Sequence, residues 1–132
     1  MAVVDGNGLP LGITVHSASP AECKLAAEPV KDIPGEKKPE RMIGDKAYDS
    51  DPLAEELYIE FGIELIAPNR SNRKVKTQDG RPLRRYKRRW KVERFFAWLN
   101  NYRRLVVRWE RRMVNYRGFL DLACCLILLR YL

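Results

Sequence analysis

Short β-branched apolar runs separated by turn residues fill the first 69 residues, and this alternation limits the fold more than any other feature of the 132-residue chain. Ala2-Val3-Val4 is followed by Asp5-Gly6-Asn7-Gly8 and then by Leu9 to His16, with Ile13 and Val15 on one face. Gly and Asn accept the positive φ of tight hairpin turns, so the spacing predicts an antiparallel hairpin. Ser19-Pro20-Ala21-Glu22 predicts a helix start, with Ser19 as N-cap, Pro20 in the first helical position and Glu22 closing a capping box. That helix is expected to reach about Lys31, before Pro34-Gly35. Residues 34–40 are charged and Pro-rich, which suits a surface loop. Arg41-Met42-Ile43 reads as a short strand, and Asp45-Lys46-Ala47-Tyr48-Asp49 leaves it. Ser50-Asp51-Pro52 opens another helix, with Asp51 as its cap, that runs to about Phe61 and stops at Gly62. Ile63 to Ala67 is a further strand, ended by Pro68-Asn69.

The pattern changes at residue 70. Residues 70–85 are polar, basic and rich in turn formers, and are expected to form a flexible loop. A long helix follows from about Tyr86 to Val107, because Val92, Phe95, Phe96, Leu99, Tyr102 and Val106 recur at helical spacing. A last helix from about Tyr116 to Leu132 is apolar almost all round, so it should be buried or lie against a partner. The order ββαβαβαα predicts an α/β domain, a mixed sheet with helices on its faces. The length suits one domain: residues 1–69 as a strand and helix core, 70–85 as a basic loop and 86–132 as C-terminal helices.

Charge divides along the same line. Residues 1–69 carry 6 Lys/Arg against 13 Asp/Glu, residues 70–117 carry 18 against 3, and the remainder balances Asp121 with Arg130. A block of one sign attracts polyanions, and nucleic acid is the commonest. A solvated basic helix face is the plainer alternative. No apolar run approaches the roughly 20 residues of a membrane span, and no basic segment followed by an apolar one marks a secretory signal. Cys23, Cys124 and Cys125 do not make a disulfide framework and read as reduced thiols of a cytosolic protein. With His16 the only histidine, no His/Cys metal spacing exists.

Two carboxylates stand out. Asp45 follows Met42-Ile43-Gly44, and the end of a strand places a side chain firmly while leaving it open to solvent. Gly44 leaves space for close backbone approach. The alternative for Asp45 is that it merely starts a turn. Glu93 is one of three acids in the basic block. On one continuous helix, Tyr86, Arg89, Glu93 and Asn100 stand at offsets of 3, 7 and 14, which places them on one narrow stripe at the edge of the apolar face. The alternative for Glu93 is an ion pair with Arg89 one turn back. Carboxylate oxygens suit Mg²⁺ or Mn²⁺, and paired ions of this kind can activate a water or a 3′-OH in phosphodiester chemistry. Trp90, Phe95, Phe96, Trp98 and Tyr102 could stack on bases, but helix packing explains most of them. Trp98, off the main apolar stripe, is kept as a DNA-contact candidate.

The segment YKRRWKVERFFAWLN resembles the Tyr-x2-Arg-x3-Glu-x6-Lys signature of a group of insertion-sequence DDE transposases, with Tyr86, Arg89 and Glu93 in its first three positions and Asn100 where a Lys is expected. MIGDKAYDSD resembles the second-Asp motif of that group. VVDGNGLPLGITVHSASPAE is similar to the hairpin and helix that lie between its first and second Asp, and NYRRLVVRWERR with the apolar last helix is similar to its C-terminus. The resemblance covers nearly the whole chain. It implies an RNase H-like fold, incomplete here with the first strand missing, in which three carboxylates hold two Mg²⁺ (or Mn²⁺) ions. By resemblance Asp45 and Glu93 are catalytic metal ligands. Tyr86 and Arg89 support the Glu and contact DNA, with Lys87, Arg88, Arg103 and Arg104 on phosphates. Asn100 puts one backbone contact in doubt. No residue matches the first Asp, since Asp5 belongs to the hairpin turn. The expectation is therefore a truncated or frameshifted transposase fragment, inactive alone and marginally stable, in the bacterial cytoplasm. Its implied partners are the DNA of element ends and target, and either an upstream-frame product or further copies of itself. The alternative is a non-catalytic DNA-binding regulator of an intact transposase.

Overall fold

The predicted hairpin forms: β1 (Ala2–Val4) pairs antiparallel with β2 (Pro10–Ile13). Asp5 shapes its turn, its Oδ1 accepting the N–H groups of Asn7 (2.7 Å) and Leu9 (2.8 Å). Gly8 takes a φ of +83° there, a conformation other residues rarely adopt. This computed structural model describes residues 1–131 except 18, 37 and 79, and only the backbone of 81 and 82. Expectations for those positions, and for the end of the last helix at Leu132, lie outside the described residues.

The expected single helix after the hairpin is two short ones, α1 (Glu22–Leu25) and α2 (Glu28–Lys31). Pro29 explains the break, since it has no N–H to give to the carbonyl four residues back and its ring crowds that carbonyl. The Ser19 capping box does not form, and Ala21 holds the N-cap position without a side-chain bond. β2 nevertheless sits tightly on α2. A β-carbon at Gly12 would lie 1.9 Å from the Pro29 carbonyl oxygen.

β3 (Arg41–Ile43) and β4 (Glu64–Ile66) pair in parallel, joined over the crossover helix α3 (Asp51–Phe61). Gly62 ends α3 with a φ of +69°, as expected. Asp51 is the first residue of this helix and not its cap; Ser50 takes the N-cap position without a side-chain bond. The strands thus make two separate ladders, β1–β2 and β3–β4, and not the one mixed sheet expected. Among the described residues no strand lies between them to join them. Both ladders pack on one core around Val30, Leu57, Ile63 and Leu65, to which Val3, Leu11 and Met42 contribute.

The long helix expected from Tyr86 is also divided. After α4 (Gly80–Leu83) a 3₁₀ turn covers Arg84–Arg88, and α5 (Trp90–Leu99) and α6 (Arg103–Val106) follow. Asn100-Asn101 competes with the helix for backbone bonds, and Tyr102 turns to an extended φ/ψ of −93°/102°. α7 (Met113–Leu129) is the longest element. A second core forms where Phe95 and Leu99 of α5 meet Leu120, Ala123 and Ile127 of α7, closed by Ile13 of the hairpin. Only this face of α7 is covered; Leu122 and Leu129 stand 55% and 62% exposed. No described helix is long and apolar enough to cross a membrane.

Candidate functional site

Asp45 leaves the end of β3 in extended backbone and caps the 3₁₀ turn Lys46–Tyr48, its Oδ1 accepting the Ala47 N–H at 2.8 Å. The turn-starting role and an open carboxylate therefore coexist, because Oδ2 remains free to face elsewhere. It faces Arg89, whose Nη1 stands 3.5 Å away. The other arm of the same guanidinium, Nη2, pairs with Glu93 Oε1 at 2.7 Å. One arginine thus gathers the two carboxylates that the sequence singled out. Tyr86 completes the group, with the Arg89 guanidinium 5.6 Å from its ring centroid.

Glu93 is more open than expected, its side chain 58% exposed instead of lying at the core edge. The stripe assumed one helix through Tyr86. A 3₁₀ turn advances about 120° per residue instead of 100°, so the residues before Trp90 are rotated away from that stripe. Lys87 and Arg88 are exposed on the same turn. Asn100 is exposed beyond the end of α5, and Arg103 is exposed on α6. Arg104 turns toward α7, pairing with Glu110 at 2.9 Å and lying over the Phe119 ring. Trp98 is half-buried against the second core, 5.8 Å from the Tyr131 ring. One of its faces is taken by Arg94, which is stacked between Trp90 and Trp98 and bonds to the Asn7 carbonyl. With Lys91 bonding to the Gly6 carbonyl, this docks the hairpin turn onto α5.

A clamp behind Asp45 had no counterpart in the sequence reading. The Asp49 side chain is 5% exposed and takes Arg73 Nη1 at 2.5 Å, the Arg70 N–H at 2.7 Å and the Asn69 amide at 3.2 Å. Arg73 also holds Asp51, at 2.6 Å to Oδ2. Arg70 donates to the carbonyls of Lys46 (3.0 Å) and Ala47 (2.8 Å), in the turn that Asp45 caps. Burial pushes the Asp49 carboxyl up, but the Arg70 N–H, the Asn69 amide and Arg73 outweigh it and hold it below its ordinary value. Residues 69–73 are therefore pinned, where a flexible basic loop was expected. The only signal in sequence was acids at 49 and 51 facing a basic stretch, and sequence spacing does not reveal such pairs.

Among the described residues no group of three or more His, Cys, Asp or Glu could hold a metal ion. Asp45 and Glu93 offer two carboxylates already gathered around a positive charge, and their oxygens suit Mg²⁺ or Mn²⁺.

A family model described as a transposase DDE domain matches residues 1–128. The chain belongs to the DDE transposase family. This DDE transposase chain is 35% identical over 133 aligned residues to a protein of Burkholderia cepacia named as the candidate transposase of insertion sequence element IS402. The alignment covers 95% of this chain and 59% of that relative, so the chain spans well under two thirds of its length. It is 36% identical to a Brucella ovis protein named as the candidate transposase of IS6501, covering 98% of this chain and 95% of the relative. No solved structure matches this DDE transposase chain.

Proposed function

We propose that the chain is part of the catalytic domain of an enzyme of DNA transposition, and that Asp45 and Glu93 are two of its metal-binding carboxylates. The observation that carries this is the convergence of Asp45, from the end of β3, and Glu93, from α5, on the two arms of Arg89. Such an exposed bridge is worth about 0.2–1 kcal/mol, weak enough for a divalent ion to replace it. Bound Mg²⁺ or Mn²⁺ would polarise a phosphodiester and activate its attacking oxygen. The chain's own residues then hold the acids in place. Gly44 and Arg70 fix the turn that carries Asp45, Tyr86 and Arg89 orient Glu93, and Lys87, Arg88 and Arg103 face outward for DNA phosphates.

The two ladders support an RNase H-like reading. Both pack on the same core, and a further strand between them, from outside these 132 residues, would complete one sheet and could bring the third carboxylate. On this reading the 132 residues bind DNA and do not cut it. Mn²⁺ titration followed by its paramagnetic signal tests the site, with DNA binding measured in parallel across salt. Expected is Mn²⁺ binding that is lost in Asp45→Asn and in Glu93→Gln, with salt-sensitive DNA binding kept. Mn²⁺ binding unchanged by both substitutions would refute the assignment and leave a non-catalytic DNA-binding regulator as the reading.

A further inference from the structure

The loop between α6 and α7 presents features that the carboxylate site does not use. Trp109 is 72% exposed, which leaves a flat aromatic face open to solvent. Beside it the Glu110 side chain is only 6% exposed. Its Oε1 accepts from Arg104, but its Oε2 is buried without a hydrogen-bond partner. A carboxylate can only accept, and leaving a buried acceptor unmatched is costly. These groups line an open groove of about 670 Å³, together with Arg111, Asn115 and Phe119. On a second side Trp109 borders another groove with Arg103 and Arg104.

A ligand matching this groove needs a flat apolar face for Trp109, an N–H donor for Glu110 Oε2 and negative charge for the arginines. An unpaired nucleobase bearing an exocyclic amino group, carried on a phosphodiester strand, has all three. A base inside a duplex does not, because both of its faces are covered by stacked neighbours and none is left for Trp109. Thymine fits poorly: its one ring N–H is flanked by two carbonyl oxygens that a carboxylate repels. Cytosine offers the amino donor that a carboxylate accepts. We propose that this groove binds an unpaired, amino-bearing base of a DNA strand, stacked on Trp109 and read by Glu110. The proposal rests on the DNA-binding reading above and adds a site to it.

Fluorescence anisotropy with labelled oligo-dC and oligo-dT of equal length tests it on the full 132-residue chain. Expected is tighter binding of oligo-dC, a roughly ten-fold loss in Trp109→Ala and near-parental affinity in Trp109→Phe, since base stacking on one aromatic ring is of that size. Glu110→Gln is expected to narrow the dC preference, because the amide keeps an acceptor for the amino group but adds a donor that the thymine carbonyls accept. Trp109 is a surface residue, so its substitution leaves the fold intact, which circular dichroism verifies. Should Glu110→Gln misfold, the parent's dC against dT ratio still decides, and equal affinities refute the role of Glu110. Parental binding by Trp109→Ala would overturn the groove while leaving DNA binding standing. No binding of any DNA would overturn both. Free dCMP should compete only at concentrations far above the oligonucleotide; competition at equal base concentration would make the ligand a free nucleotide and refute the strand.

Discussion

A β-carbon on residue 44 would lie 3.0 Å from Tyr48, against both its Cβ and its ring. Tyr48 has little freedom to move. It packs on the first core, and burial above all, with the charges of Glu22 and Asp45, pushes its hydroxyl up to about 12. Gly44→Ala must therefore displace either the ring or the end of β3, and the second carries Asp45 away from Arg89. We expect a loss of about 1–3 kcal/mol in thermal or urea unfolding, the usual cost of overpacking, together with weakened Mn²⁺ binding. Stability and Mn²⁺ binding both at parental levels would show that the turn tolerates the methyl. The placement of Asp45 was readable because a strand end is a local signal, whereas Gly44, expected to leave space for backbone, leaves it for the Tyr48 side chain. Arg89 was readable in one of its two roles: the pair with Glu93 follows from helical spacing, but the reach to Asp45 crosses between elements that no periodicity relates.

The hairpin, the parallel β3–α3–β4 unit and the stop at Gly62 were all legible, since each depends on turn chemistry within a few residues. The single sheet and the two long helices were not, because pairing partners, Pro29 and the Asn100-Asn101 break act on continuity that apolar spacing alone overstates. The packing of β2 on α2 is unforgiving at Gly12, where an added methyl meets backbone and not a flexible side-chain tip. Gly12→Ala should cost about 3 kcal/mol or more, measured by urea unfolding; parental stability would mean that the strand and helix slide apart freely. The clamp on residues 69–73 gives a pH prediction. The Asp49 carboxyl is held below its ordinary 3.8, so its contribution is complete above that value and is lost as pH falls through the lower folded value. Trypsin should cut after Arg70 and Arg73 slowly at neutral pH in the parent and faster in Asp49→Asn, where the charge is gone at every pH. Equal cleavage of the two proteins at neutral pH would show that the ion pairs do not hold the loop.

Two modest cores support the whole molecule, and the surfaces left over bear on how it behaves in solution. β1 and β3 each pair on one side only among the described residues, and an open strand edge is a template for another chain. α7 adds a second hazard, with Leu122, Leu126 and Leu129 at 55%, 43% and 62% exposure on the face turned from the core. Apolar surface gathered on one helix favours burial against a neighbour at about 25 cal/mol per Å² covered, whereas scattered leucines would not. The chain is expected to self-associate as its concentration rises, in spite of its +8 net charge. Light scattering on a sizing column separates the two causes. Substituting Leu126 and Leu129 together by Lys removes the helix face and leaves the strands untouched, so a shift to monomer assigns association to α7. Association unchanged by that pair, and also resistant to high salt, assigns it to the ladder edges, where backbone bonds form whatever the side chains. A parent that stays monomeric across the accessible concentrations would contradict both, and would mean that the exposed leucines cost the isolated chain nothing it needs to recover by pairing.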